Sequence, residues 1–264
     1  MPTADGVVWF KEEPPADEFE PALTELLARR QPAAVPELVA WEGRRMLTRD
    51  VGPRLRDVLD AGGQPPSWEE ILQLYAELQL DFMAVADDAL ALGAPDDRPE
   101  LLAERYAALG GDRSDAVRAA AERLNASLPL TVAHMEAHDG NIFLRDGRPV
   151  FIDWAEAVVT HPFVGPLQAL RGPIDRRGYG PGSPDVERVR DVYLEPFTRF
   201  APLAELRELF TAGYLLHGVS RASLWQRTLE PIPPKRRSEY GEPVAAWLSI
   251  VEELADGTIT VGGA

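Results

Sequence analysis

The chain has 264 residues, of which 45% are hydrophobic and 27% charged, a composition that allows one large domain or two unequal lobes around a sizeable core. It contains no cysteine, which excludes disulfides and thiolate metal sites and fits the reducing cytoplasm. A formal net charge of −16 argues against nucleic acid and anionic membranes as main partners and would suit a cationic substrate, although solubility alone explains the same charge.

The first 50 residues predict a small unit of strands and one helix. The start lacks the basic head and apolar run of a signal peptide, and no segment reaches the roughly 18 apolar residues of a membrane span. Residues 7–11 form a β-rich run that ends in a lysine. A helical pattern follows over about 18–30, where Pro21 is compatible only with the first turn. Two further strands are predicted at 38–41 and 45–48.

The remainder of the chain is predicted to be mostly helical. Ser67 is a good N-cap for a helix that runs to about residue 92. Gly172-Pro173 and residues 178–182 are predicted to be loops. Further helical patterns lie at about 98–109, 114–127, 185–200, 203–226 and 240–255.

The segment His134 to Trp154 differs from this helical background because it contains a strong hairpin signal. Asp146-Gly147 stands between two apolar runs, as in a two-residue β-turn. Counting outward from that turn brings Asn141 and Asp153 together at the open end of the hairpin. An amide oxygen beside a carboxylate is a hard oxygen site that suits Mg²⁺ holding phosphates. Capping of the strand ends is the structural alternative for both residues.

A carboxylate precedes this hairpin, in a stretch where Asp139-Gly140 disfavours a helix and favours a loop. Glu136 lies five positions before the predicted metal ligand Asn141. Phosphoryl transfer needs such a pair, a base that orients the attacking hydroxyl and nearby metal ligands that neutralise the phosphates.

The four histidines are predicted to be mainly structural. His134 and His138 would brace the loop through hydrogen bonds, and His161 and His217 would be ordinary, partly buried residues. A zinc site with His-x-x-x-His spacing requires a helix, which Gly140 disfavours.

The same segment resembles the family of aminoglycoside phosphotransferases, choline kinases and related small-molecule kinases. The loop of that family reads roughly His-Gly-Asp-Leu-His-x-Gly-Asn, and a strand ending in Ile-Asp-Trp or Ile-Asp-Phe follows. His134, His138, Gly140 and Asn141 match the loop, and Ile152-Asp153-Trp154 matches the strand.

The resemblance implies roles for individual residues. Asn141 and Asp153 would bind Mg²⁺, and Glu136 would be the catalytic base, at a position where the family has aspartate. Lys11 would grip the nucleotide phosphates, and Glu20 would be the helix glutamate that pairs with that lysine.

The resemblance also implies a nucleotide site in the first 50 residues. Thr48 and Asp50 would belong to the last strand of the small lobe and to the hinge that meets adenine. Only ten residues precede Lys11, where the family has two strands and a phosphate-covering loop, so the small lobe is expected to be truncated. Met135 and Ala137 replace the usual glycine and leucine of the loop.

The resemblance implies an α+β, protein kinase-like fold with a truncated β lobe at 1–50 and a helical lobe at 51–264. The expected function is a cytoplasmic, ATP- and Mg²⁺-dependent phosphotransferase that moves the γ-phosphate to a hydroxyl of a small molecule. A pseudokinase of the same fold is the alternative, motivated by Glu136 and the missing loop. A metal-dependent hydrolase using His134, His138 and Asp153 is a further one. The substrate and the oligomeric state stay open.

Overall fold

A computed structural model gives the fold and describes residues 2–3 and 6–260. The N-terminal part is an antiparallel sheet with strand order β1-β2-β4-β3 and one helix beside it. Trp9 pairs with Thr48 and Lys11 with Met46, so these four side chains lie on one face of the sheet. The elements are β1 (Pro2–Thr3), β2 (Gly6–Glu12), α1 (Glu20–Arg30), β3 (Leu38–Glu42) and β4 (Arg45–Arg49).

Helix α1 begins two residues later than the sequence pattern indicates. Pro21 lies in its first turn, as its missing N–H requires. Leu23 and Leu27 on its inner face are completely buried and anchor the helix to the common core. Strand β1 was not predicted from the sequence.

The rest of the chain contains two small antiparallel sheets surrounded by helices. Its strands are β5 (Thr131–Ala133), β6 (Ile142–Arg145), β7 (Arg148–Phe151) and β8 (Val158–Thr160). Its helices are α2 (Leu55–Asp60), α3 (Trp68–Phe82), α4 (Ala86–Ala91), α5 (Pro99–Ala108), α6 (Ser114–Asn125), α7 (Leu167–Arg177), α8 (Pro184–Leu194), α9 (Leu203–Leu229), α10 (Pro234–Arg237) and α11 (Pro243–Ala255). The predicted α+β class is therefore confirmed.

The N-cap of α3 is confirmed, but the predicted helix to residue 92 is divided. Ser67 Oγ accepts a hydrogen bond from the Glu70 N–H at 3.2 Å, and the Glu70 carboxylate accepts from the Ser67 N–H at 2.8 Å. This reciprocal capping box satisfies two N–H groups at the helix start. The chain leaves helical conformation at Val85, whose φ is −125°, before α4 begins.

Two prolines affect the helices in opposite ways. The predicted loop at Gly172-Pro173 is wrong, because Pro173 lies inside α7. Gly172 packs directly against the Trp68 ring, where a Cβ would come within 2.5 Å of a ring carbon, so close helix packing offsets the lost hydrogen bond. By contrast, α8 ends at Leu194 rather than near 200, because Pro196 cannot donate the next helical hydrogen bond.

The predicted hairpin is present. Asp146 and Gly147 have φ angles of +51° and +78°, the left-handed conformations that a two-residue turn between right-twisted strands requires. Ile142 pairs with Phe151, and the Ile152 N–H donates to the Asn141 carbonyl at 2.9 Å. The hairpin therefore places Asn141 beside the Ile152-Asp153 step, as counting from the turn predicts.

Helix α9 passes through the middle of the helical part. Residues from Leu206 to Ser223 contribute most of its buried side chains. Gly213 allows the close approach of the Phe163 backbone, since an added Cβ would lie 2.5 Å from the Phe163 carbonyl oxygen. Although α9 has 27 residues, no helix in the described part of the chain is long and apolar enough to cross a bilayer.

Candidate active site

Lys11 is surrounded by three carboxylates where the N-terminal sheet meets the β6–β7 hairpin. Its Nζ lies 2.6 Å from Glu20 Oε2, 2.6 Å from Asp153 Oδ1 and 2.8 Å from Glu13 Oε1. Burial alone would lower the pKa of Lys11, but these carboxylates outweigh it and raise that pKa. Lys11 is therefore a fixed cation, and the ion pair with Glu20 that the resemblance implies is present.

Glu20 connects α1 to the segment that follows β7. Its side chain is completely buried, and its Oε1 accepts a hydrogen bond from the Trp154 N–H at 2.7 Å. Burial and the neighbouring Glu13 raise the pKa of Glu20, while Lys11 opposes that rise. One glutamate thus holds both the lysine and the backbone next to Asp153.

Asp153 has a left-handed backbone, with φ of +65°, although it is not glycine. Such a conformation costs roughly 1–2 kcal/mol and persists only where the surroundings enforce it. Trp154 provides part of that support, because its ring is buried and its Nε1 donates to the Phe151 carbonyl at 2.9 Å. The Asp153 side chain remains 45% exposed and points toward Lys11.

Asn141 presents an oxygen at the same end of the hairpin. Its Nδ2 donates to the Glu136 carbonyl at 3.1 Å, which leaves the Oδ1 atom available. An amide oxygen and the carboxylate of Asp153, beside a fixed lysine, fit a Mg²⁺ ion that carries phosphates. Asn141 and Asp153 would hold that ion.

The loop that carries Glu136 is tightly wound and, as predicted, not helical. The Glu136 N–H donates to the His134 carbonyl, and the His138 N–H donates to the Glu136 carbonyl, both at 2.8 Å. Between them Met135 has φ of +63°, the left-handed region that favours glycine. His134 connects the loop to the end of the hairpin, because its Nε2 contacts the Ile152 carbonyl at 2.8 Å.

Both carboxylate oxygens of Glu136 have partners. Arg221 Nη1 lies 2.9 Å from Oε1, and His138 Nε2 lies 3.2 Å from Oε2. Burial alone would raise the pKa of Glu136, but the hydrogen bond from His138 and the charge of Arg221 outweigh it and lower that pKa to about 2. Glu136 is therefore an anion at neutral pH.

Sequence reasoning missed two residues of this site, Glu156 and Arg221. The Arg221 guanidinium contacts Glu156 as well as Glu136, and it lies 5.8 Å from the centre of the Trp247 ring. Burial raises the pKa of Glu156, and the nearby Glu136 adds to that rise against the opposing charge of Arg221. The available signal was an arginine within the long apolar run of α9, since buried arginines require acidic partners.

A cleft of about 310 Å³ opens between the N-terminal sheet and the hairpin. Of the two predicted hinge residues, Thr48 lines the cleft, whereas Asp50 lies outside its lining and accepts a hydrogen bond from Trp9 Nε1 at 2.7 Å. The cleft walls are mostly apolar, and its polar end is formed by Lys11, Glu20 and Asp153. The walls are completed by Trp9, Phe10, Thr24, Pro36, Met46, Arg49, Val51, Phe143 and Ile152.

The histidines do not form a metal centre. No three His, Asp or Glu side chains gather as a metal would require within residues 2–3 and 6–260. His161 and His217 were expected to be partly buried, and this was wrong, because both rings are almost completely buried. His161 contacts Ser127 Oγ at 3.0 Å, and His217 Nδ1 donates to the Val164 carbonyl at 2.8 Å.

Comparison with known proteins decides the family. The model of the phosphotransferase enzyme family, APH, matches residues 9–165, more than half of the chain. The chain belongs to this phosphotransferase family. No curated protein matches it in sequence. The matched residues of the phosphotransferase include Lys11 and its carboxylate partners, the loop that carries Glu136, and the β6–β7 hairpin.

Solved structures show the fold of this phosphotransferase. An ethanolamine kinase from Plasmodium vivax aligns with a TM-score of 0.62 and 10% identity, over 96% of this chain and 78% of that one. A GDP complex of aminoglycoside 2′-phosphotransferase-IIIa aligns with a TM-score of 0.55 and 13% identity, over 92% and 83%. A macrolide 2′-phosphotransferase from Brachybacterium faecium aligns with a TM-score of 0.54 and 17% identity, over 96% and 86%. The predicted protein kinase-like fold is confirmed.

Proposed function

We propose that this chain is an ATP- and Mg²⁺-dependent kinase that transfers the γ-phosphate to a hydroxyl of a small molecule. The contact of Lys11 Nζ with both Glu20 and Asp153, each at 2.6 Å, carries the proposal. A fixed cation and a carboxylate that would bind the metal lie together at the polar end of an apolar cleft, which suits a nucleotide with a flat base and charged phosphates.

Each residue of the site then has a part in the transfer. Lys11 would hold the phosphates, Glu20 would hold Lys11, and Asn141 and Asp153 would hold the ion that neutralises phosphate charge. Thr48 would line the base pocket. Asp50 would act indirectly by fixing the Trp9 indole at the cleft mouth.

Glu136 would orient the acceptor hydroxyl rather than remove its proton early. A carboxylate whose pKa is about 2 is a weak proton acceptor, but it accepts a hydrogen bond well. Phosphoryl transfer passes through a loose transition state in which positioning and charge contribute most of the rate. A weak base in a fixed position is sufficient for that chemistry.

The neighbouring structures support the small-molecule part of this proposal. The similar proteins are named for ethanolamine, aminoglycoside and macrolide substrates, and one of them holds GDP. Both ATP and GTP therefore belong in the first assay. The division into a nucleotide lobe at 1–50 and a substrate lobe at 51–264, and the cytoplasmic location, stay predictions from the sequence.

Asp153→Asn tests the proposal, because it keeps the shape of the side chain and removes its charge. We expect phosphoryl transfer to fall at least about 100-fold, as for the loss of a main electrostatic group in other active sites. Arg118→Gln on the exposed face of α6 is the matched control. Equal transfer rates in the two variants, measured by ADP release with a panel of hydroxylated small molecules, would refute the assignment.

A pseudokinase is the second candidate, favoured by one observation. Both oxygens of Glu136 already have partners in Arg221 and His138, so an incoming hydroxyl must share or displace one of them. Nucleotide binding in a thermal shift assay, together with no transfer to any acceptor, would support this candidate over the kinase.

A further inference from the structure

A second cavity begins two residues after Asp153. It has a volume of about 310 Å³ and is lined by Ala155 and Glu156 and by parts of the α4–α5 connection and α9. Glu156 and the proposed base Glu136 contact the same Arg221 nitrogen, so the cavity borders the site of transfer. Its volume is at the lower end of the range for small-molecule sites.

Two of the charged groups that line this cavity are already occupied. Asp96 holds Arg98 through contacts of 2.8 Å. Arg105 is bound by the buried Asp97 carboxylate and donates to the Asp96 carbonyl at 2.7 Å. Because both groups are bound within the protein, they shape the cavity wall but offer no free charge to a ligand.

Three other groups retain binding capacity toward the cavity. Arg227 has Asp97 Oδ1 as its nearest acid, at 3.9 Å, and that oxygen already contacts Arg105. Among the described residues, no cation lies within 4 Å of the half-buried Asp17 carboxylate. Glu156 contacts Arg221 through Oε2, and its carboxyl group also lies within hydrogen-bond reach of Glu136, so it adds acidic charge to the cavity wall as part of that cluster.

Asp17, which has no cation within 4 Å in the described part of the chain, and Arg227, which has only the distant contact with Asp97, therefore line one cavity without an ion pair between them. Because they are not joined to each other, both can bind a ligand that carries the opposite charge at each end. Burial raises the pKa of Asp17 and lowers the pKa of Arg227, and the opposite charges near each group, which include the other of the two, do not outweigh it.

We propose that this cavity is the acceptor site and takes a small zwitterionic hydroxyl compound, a hydroxylated α-amino acid, rather than a simple cation. This assignment rests on the proposed kinase function. The ligand carboxylate would bind Arg227, and its ammonium group would lie between Asp17 and Glu156. The acidity of the chain suggests a cationic substrate, but Arg227 would repel a ligand that lacks an acid group.

The reaction balances with ATP as the second substrate. The hydroxyl oxygen forms a bond to the γ-phosphorus while the bond to the β,γ-bridging oxygen breaks, and ADP leaves. The hydroxyl proton is shared with Glu136 and then passes to water. Arg227 and the two acids only set the position of the acceptor.

Matched probes separate the two charges of the ligand. L-Serine, L-threonine and L-homoserine carry both charges, ethanolamine lacks the carboxylate, and 3-hydroxypropionate lacks the ammonium group. In calorimetry, we expect the amino acids to bind at concentrations about 10- to 100-fold lower than the two analogues, the gain that one charged, hydrogen-bonded anchor provides. We expect the same difference in the concentrations at which these compounds stimulate the release of ADP from Mg-ATP.

Two variants test the anchors in the whole protein. Arg227→Gln should raise the KM for the amino acids about 10- to 100-fold and lower the KM for ethanolamine, which the native arginine would repel. Asp17→Asn should raise the KM for the amino acids and for ethanolamine together, and lower the KM for 3-hydroxypropionate, whose carboxylate the native aspartate would repel. The Tm of each variant reports whether it folds, and Arg118→Gln serves again as the control.

The failures of the two proposals can be distinguished. If ethanolamine is used as well as the amino acids and Arg227→Gln has no effect, the zwitterion proposal is wrong and the kinase stands. If no amino acid binds in calorimetry, the site assignment is wrong. If amino acids bind through Arg227 but no ADP is released, the cavity is a binding site and the kinase proposal fails.

Discussion

Arg221 Nη1 lies 2.9 Å from Glu136 Oε1, so a side chain of α9 holds the proposed base. The two residues come from distant parts of the chain, and Arg221 is 93% buried. We therefore expect Arg221 to be a positioning residue, which fixes the direction of the Glu136 carboxylate without touching the nucleotide.

Arg221→Gln should lower kcat about 10- to 100-fold while the KM for ATP stays unchanged, because displacement of a positioning group by about 1 Å costs roughly that much. Arg221→Lys keeps the charge and should recover part of the loss. A merely structural role would instead lower the Tm of both variants and leave kcat of the folded fraction intact. That result would contradict the assignment.

Glu136→Asp shortens the side chain by one methylene. The shorter carboxylate cannot keep both contacts, to Arg221 at 2.9 Å and to His138 at 3.2 Å, so kcat should fall about 10- to 100-fold. The family resemblance alone would suggest a gain, since aspartate is the usual base there. Higher ADP release from the variant would show that Glu136 impairs the native site and would favour the pseudokinase.

Met135 offers a test of backbone strain, because its φ is +63° and its side chain is 99% buried. Met135→Ala and Met135→Gly both lose the buried side chain, at about 2–5 kcal/mol. Only glycine relieves the left-handed backbone, so the glycine variant should be the more stable of the two by up to about 1 kcal/mol.

Ala137 is the matched control, since it is buried in the same loop and its φ is not positive. There glycine should be less stable than the native alanine by about 0.5–1 kcal/mol. Urea unfolding measures all three variants. If glycine also ranks below alanine at position 135, the left-handed backbone stores no strain.

Buried His161 should make stability depend on pH. Burial lowers its pKa to about 3 in the folded chain, whereas an unfolded histidine titrates near about 6.5. As pH falls below 6.5, the unfolded state therefore binds a proton at this histidine while the folded state does not. The free energy of unfolding should fall by about 1 kcal/mol per pH unit until pH approaches 3.

His161→Gln removes this titration. The variant should be less stable than the wild type at pH 7, because it disturbs the contact with Ser127 Oγ at 3.0 Å. That difference should shrink between pH 6 and pH 4, as urea unfolding at several pH values would show. A constant or growing difference would mean that His161 already carries a proton in the folded chain.

Local rules were sufficient to predict the hairpin and part of the site. Asp146-Gly147 has few ways to connect two strands, and counting from the turn places Asn141 beside Asp153. The Lys11–Glu20 pair followed from the family resemblance, and its contact is present. These features depend on short segments whose geometry the sequence nearly determines.

Contacts between distant segments could not be predicted in the same way. Arg221 and Glu156 are separated by 65 residues, and no periodicity in either segment indicates that they meet. The helix at Pro173 was missed for a related reason, because its stability comes from the Trp68 ring packing on Gly172 rather than from local propensity. Tertiary packing decides such positions.

Helix α9 sets the spacing between two groups that would position the acceptor. Arg221 and Arg227 are six residues apart on this helix, which corresponds to about 9 Å along its axis. One residue governs the reacting end of an acceptor and the other would anchor its far end. Evolution of a new acceptor length would therefore require more than a change of wall residues, since the spacing is built into the backbone of a single helix whose middle turns are buried.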